Sequence, residues 1–154
     1  MNNNDISLSL LDIINENSLR NLTVVEANYN QQILIDDLMR HMNGYFHYPL
    51  VVDSHLLVKN VSSLPEDIRN STHKLINWNA EDFKLPAIEA PADLFIFRDS
   101  FDLDNIDWKN FAKEISFSVK ENGFLFAVFR SKISKAEQMV HHFFGMNYST
   151  MILN

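Results

Sequence analysis

One segment, Leu22-Thr-Val-Val-Glu26-Ala-Asn28-Tyr-Asn30-Gln-Gln32, constrains this chain more than any other. Leu22 to Val25 reads as a short apolar strand that ends on an acidic residue, Glu26. A polar turn follows, and over residues 31–42 the apolar side chains Ile33, Leu34, Leu38 and Met42 recur at helical spacing. Strand, acidic residue, tight loop and helix make up the first crossover of a cofactor-binding α/β sheet. Such loops use glycine so that the chain can turn sharply and a ligand can approach the backbone. Here Asn28, Asn30 and Gln32 stand where an E-x-G-x-G-x-G loop has its glycines. Asparagine reaches positive φ more readily than most residues, so the turn can still be built. Three side chains then project into or beside the space that a ligand needs. The loop is suited to folding and poorly suited to binding.

The rest of the chain alternates in the same way. Residues 6–14 read as an amphipathic helix, 48–53 as strand two, and 55–70 as a helix interrupted at Pro65. Residues 74–77 read as strand three and 92–97 as strand four, the latter apolar almost throughout. Trp108, Phe111, Ala112, Ile115 and Val119 fall on one helical face. Glu121-Asn-Gly123 turns the chain into strand five over 124–129; a helix over 134–144 and a final strand over 147–153 complete it. Gly44 suits the end of the helix that follows strand one.

This order predicts one α/β domain over 1–154: a Rossmann-like, doubly wound, mostly parallel sheet with helices on both faces. Residues 1–20 would be its lead-in, 21–130 its core βα units, and 131–154 its last helix and final strand. Ligands of such sheets bind beyond the carboxyl ends of the strands. The positions to watch are therefore 26–30, 53–54, 78–82 and 98–102.

Four stretches carry a family resemblance: Leu-Thr-Val-Val-Glu26, Leu-Val-Val-Asp53, Ala-Asp-Leu-Phe-Ile-Phe97 and Val-Lys-Glu-Asn-Gly123-Phe-Leu-Phe-Ala. Across about residues 19–140 the chain resembles the Rossmann-like methyltransferases that use S-adenosylmethionine. Among them it looks most like the degenerate, non-methylating methyltransferase domain of animal type I fatty acid synthase. The resemblance implies that first-motif glycines would hold the methionine end of the cofactor. An acidic residue ending strand two would hold the ribose hydroxyls, and a polar or acidic group after strand three the adenine. Glu26 and Asp53 match the acidic positions, whereas Asn28, Asn30 and Gln32 depart from the glycines. Related C-methylating domains of polyketide synthases place a catalytic histidine shortly after strand four, where Asp102 stands here. The stretch after Phe144 is short for the two further strands of a full methyltransferase, so a shortened C-terminal end is expected.

The implied role is structural. Such a domain carries no catalytic residue and binds no cofactor or metal, so Glu26, Asn28, Asn30 and Asp53 would be vestiges of a cofactor site. Its partners would be the dehydratase, pseudo-ketoreductase and reductase domains of one cytoplasmic multienzyme. That multienzyme would build fatty acids with NADPH bound elsewhere. An active methyltransferase with a divergent loop is the enzymatic alternative, with retained Asp53 as its best argument. A stand-alone α/β interaction module is the third reading.

Plainer readings stand beside each residue. Asp53 can be a turn former or cap, and Glu26 can accept backbone N–H bonds that orient the loop. Asp99, Asp102, Asp104 and Asp107 alternate with apolar residues before a helix, which favours a solvated loop over a metal site. The adjacent His141 and His142 point apart on a helix, and His41, His47, His55 and His73 form no His-x-x-x-His pair. Ser100 lacks the flanking glycines of a nucleophile elbow. A net charge of −7, with Lys and Arg scattered, leaves no footprint for nucleic acid or anionic membrane. The absence of cysteine excludes disulfides, thiolate zinc sites and thiol catalysis.

Overall fold

Parallel strands need a crossover between them, and a sheet covered on both sides needs runs of apolar residues, not simple alternation. This chain has both. Its structure, a computed structural model, describes residues 3–17, 20–27, 34–42, 51–78, 85–86, 88, 91–98, 108–129 and 147–152. Helix α1 (Asn3–Glu16) leads into β1 (Asn21–Ala27), α2 (Leu34–Met42) and β2 (Val51–Val58). A 3-10 turn (Val61–Ser63) and the short α3 (Glu66–Arg69) precede β3 (Lys74–Asn77). Then come β4 (Ala92–Arg98), α4 (Trp108–Ser118), β5 (Val119–Phe129) and β6 (Asn147–Ile152). The six strands form one sheet in the order β3-β2-β1-β4-β5-β6, each neighbouring pair parallel. The fold is α/β, Rossmann-like and doubly wound, with the winding direction reversing between β1 and β4.

Right-handed crossovers put the connections among β1, β2 and β3 on one face and the β4-to-β5 connection on the other. The core follows that rule. Leu34 and Ile35 of α2 and Leu64 after the 3-10 turn pack with Leu22, Val24, Leu56, Val58, Leu94 and Ile96. α1 joins the same cluster through Leu10, Leu11 and Ile14, all fully buried. Each such side chain contributes about 1.5–3 kcal/mol on burial, so α1 is as much part of the core as α2. The alternate residues Val25, Ala27, Leu57, Phe95, Phe97 and Leu125 are buried as well, on the opposite face. Ile115 of α4 is fully buried too.

Strand two is longer than its sequence suggested. The polar triplet Asp53-Ser54-His55 does not end it; β2 runs on to Val58, and no helix starts at His55. An interior strand can hold polar residues when its neighbours satisfy them. Lys74 Nζ lies 3.3 Å from the Asp53 carboxylate, and His73 Nδ1 lies 2.5 Å from Ser54 Oγ. The helix expected over 55–70 shrinks to the 3-10 turn and α3, which begins directly after Pro65. The expected Gly44 cap and the helix over 134–144 lie outside the described residues.

The turn into strand five takes the form of a bulge within it. Val119 already pairs with Ala92, after which the register jumps to Leu94 with Phe124. Asn122 in this bulge sits at φ 63°, the left-handed region that asparagine tolerates. At Gly123 a Cβ would meet the Val119 side chain, Lys120 O at 2.9 Å and Ala92 O at 3.1 Å. Two of those three atoms are backbone and cannot swing aside. Gly123→Ala is therefore expected to cost about 1–3 kcal/mol, seen as a lower urea midpoint at unchanged m-value. Wild-type stability in that variant would mean the bulge relaxes without strain.

Candidate functional site

The carboxyl ends of β1 and β4 flank the point where the winding reverses, the usual ligand crevice of such sheets. Glu26, the next-to-last residue of β1, lies there with 2% of its surface exposed. Its Oε1 accepts the Leu34 amide at 2.9 Å, and its Oε2 accepts the Ile35 amide at 3.0 Å. Those are the first two amides of α2. First-turn amides have no partner within their helix, and the helix dipole makes them a ready seat for an anion. In this chain an internal carboxylate fills the seat with both its oxygens. An anionic ligand would have to compete with this carboxylate for the two amides. Asn28, Asn30 and Gln32, the loop residues named from sequence, lie outside the described residues.

Asp53 is not where a ribose-binding residue would be. It is the third residue of β2, in register with Thr23, and five residues short of the strand's end. At ~3.3 Å per residue that places it roughly 16 Å from the carboxyl edge. It is exposed there and meets Lys74. The position just after β2 belongs to Lys59, also exposed, and then to Asn60. Asn60 Oδ1 accepts from Ser62 N at 3.1 Å, while Asn77 Oδ1, at the end of β3, accepts from Val61 N at 2.8 Å. Trp78 N donates to Val58 O at 2.8 Å. The loop after β2 thus bonds to itself and to β3. No acidic group ends β2, so the ribose contact that the resemblance implies has no counterpart at that strand end.

A second constellation was not legible beforehand. Ser54 Oγ lies 2.5 Å from His73 Nδ1, and His73 Nε2 lies 2.6 Å from Asp36 Oδ1. With the Nε2 proton given to the carboxylate, Nδ1 accepts from the Ser54 hydroxyl. Serine, histidine and aspartate in line are the elements of an acyl-transfer triad, but two requirements fail. Ser54 is 7% exposed, and it sits inside a strand flanked by β1 and β3, whose ladders occupy the neighbouring amides that would stabilise an oxyanion. The line acts as a tie joining α2, β2 and the start of β3. The sequence marks Ser54 only as a strand-end position and His73 only as a histidine outside any His-x-x-x-His pair. Their partners come from three separate segments, so no local spacing could reveal them. On the opposite face His55 is 4% exposed, and its Nδ1 has no hydrogen-bond partner among the described residues.

Among the described residues no three His, Asp or Glu side chains converge as metal ligands. The acidic positions 99–107 and the pair His141-His142 lie outside them. No described helix is long and apolar enough to cross a membrane. No protein-family model matches the chain, and no curated protein matches it.

Two measurements test the roles given to these side chains. Glu26→Ala leaves two buried amides without an acceptor and should lower stability by about 2–4 kcal/mol in urea unfolding. A loss below half a kcal/mol would show that water replaces the carboxylate. Ser54→Ala and His73→Ala should be coupled by about 1 kcal/mol in a double-mutant cycle, whereas additive losses would deny the tie.

Proposed function

We propose that this domain is a non-catalytic structural unit, a Rossmann-like sheet that keeps the frame of a cofactor-binding domain without using it to bind. The observation that carries this reading is the pair of hydrogen bonds from the α2 amides to Glu26. They commit the first amides of α2 to the protein's own carboxylate. Lys59 in place of an acidic residue after β2, and the self-bonded loop behind it, support the same reading. Filling a ligand site generally raises stability, because openings kept for function are destabilising. That suits a domain whose work is to hold neighbours at a fixed spacing.

The finer placement rests on the sequence resemblance. The domain would be the pseudo-methyltransferase unit of a cytoplasmic fatty acid synthase-type multienzyme, beside its dehydratase, pseudo-ketoreductase and reductase domains. Malonyl-derived chain building and NADPH would belong to those other domains. The rival reading, an active methyltransferase, loses its best sequence argument because Asp53 lies mid-strand.

Titration calorimetry with S-adenosylmethionine, alongside thermal unfolding, decides between them. The expected result is no heat and no change in Tm at millimolar ligand. Saturable micromolar binding would overturn the proposal. At about a hundred times Kd such binding would add ~2.7 kcal/mol and raise Tm by several degrees.

A further inference from the structure

Asparagine followed by glycine is a chemically fragile pair. The glycine amide nitrogen can attack the side-chain carbonyl carbon of the asparagine, and no side chain on the glycine crowds that nitrogen. Asn122 and Gly123 form such a pair in the bulge near the start of β5. The fold uses both: Asn122 takes the turn at φ 63°, and Gly123 passes close to Lys120 O and Ala92 O. The same two residues also meet the conditions for that reaction.

Two observations favour it. Asn122 is exposed, so water and base reach its side chain and ammonia can leave. The second lies in the register. Val119 pairs with Ala92 and Phe124 with Leu94, which leaves Lys120 to Gly123 opposite Asp93 alone. Pairing with β6 also starts only at Phe124. The Asn122-Gly123 segment can therefore shift locally without parting either ladder. What anchors the bulge is polar. Lys120 Nζ lies 3.0 Å from Asp93 Oδ1, and Asp93 Oδ2 accepts the Thr23 amide at 2.8 Å.

We propose that Asn122 is a self-modification site, which turns the bulge into a slow one-way switch. The Gly123 nitrogen bonds to Cγ of Asn122, the Cγ–Nδ2 bond breaks, and ammonia departs with the Gly123 amide proton. Water then opens the cyclic imide. Cleavage at Cγ leaves aspartate; cleavage at the main-chain carbonyl leaves isoaspartate, with the chain running through the side-chain carbon. Either product places a new negative charge beside Glu121. Isoaspartate also lengthens the main chain by a methylene. A Cβ on Gly123 would already lie 2.9 Å from Lys120 O and 3.1 Å from Ala92 O, so the bulge has no room for the added atom. It must move, and with it the Lys120–Asp93 tie and the pairing of Val119 with Ala92. This site is independent of the pseudo-methyltransferase reading, since it shares no residue with the Glu26 crossover.

The test is incubation of the full chain in mildly alkaline heavy-oxygen water, folded and in urea, followed by peptide mass mapping. Heavy oxygen should enter at residue 122, with isoaspartate in excess over aspartate. The folded-state rate should lie within about tenfold of that in urea, or ~1.4 kcal/mol of barrier. The other Asn-Gly pair, Asn43-Gly44, falls on a different tryptic peptide and is read separately. The isoaspartyl fraction, separated by chromatography, should unfold at lower urea than Asn122→Asp, which carries the charge without the longer chain. Protection of Asn122 by more than about tenfold in the folded chain would overturn the proposal. So would an isoaspartyl form as stable as Asn122→Asp.

Discussion

A carboxylate with 2% of its surface exposed can persist only if donors match both its oxygens, and the first amides of a buried helix can persist only if they find acceptors. Glu26 and α2 solve each other's problem, and much of the domain follows from that solution. The cap fixes where α2 begins, immediately above the carboxyl end of β1. It thereby sets Leu34 and Ile35 onto the sheet face they bury, where α1 also packs through Leu10, Leu11 and Ile14. The same two hydrogen bonds shut the place where a doubly wound sheet would receive an anionic ligand.

The far side of the sheet is held differently. β3 is a four-residue edge strand whose residues are half-buried or exposed, so apolar burial alone gives it little hold. Polar ties supply the rest: Asp53 with Lys74, Ser54 with His73, Asn77 with the Val61 amide, and the Trp78 amide with Val58 O. A short edge with charged and polar side chains also resists pairing with another chain's strand. Much of the polar chemistry resembling a site near β2 is therefore committed to attaching this edge.

What could be read in advance depended on whether the deciding interaction was local. Strands β1 and β4 were visible because largely apolar runs bounded by polar residues leave few other options, and β3 through the short Leu75-Ile76 pair between polar neighbours. The length of β2 was not. Asp53, Ser54 and His55 look like a strand end until it is known that Lys74 and His73 stand beside them, and the cost of a polar residue in a strand depends on that neighbour. Reading Asp53 as the acidic residue that ends strand two was one consequence of that early boundary. Val119 likewise read as the last residue of a helix, yet its pairing with Ala92 draws it into β5.

By itself the sequence determined the alternation of elements, the doubly wound parallel sheet and the departure of the first crossover loop from a glycine-rich cradle. Those are consequences of periodicity, turn chemistry and right-handed connection, all of which act along the chain. The tertiary structure alone decided that Glu26 caps α2 with both oxygens and that Lys59 follows β2. It also decided that Ser54, His73 and Asp36 form one line. These depend on segments far apart in sequence meeting within a few ångströms, and such a meeting is a property of the packed sheet that no local spacing encodes.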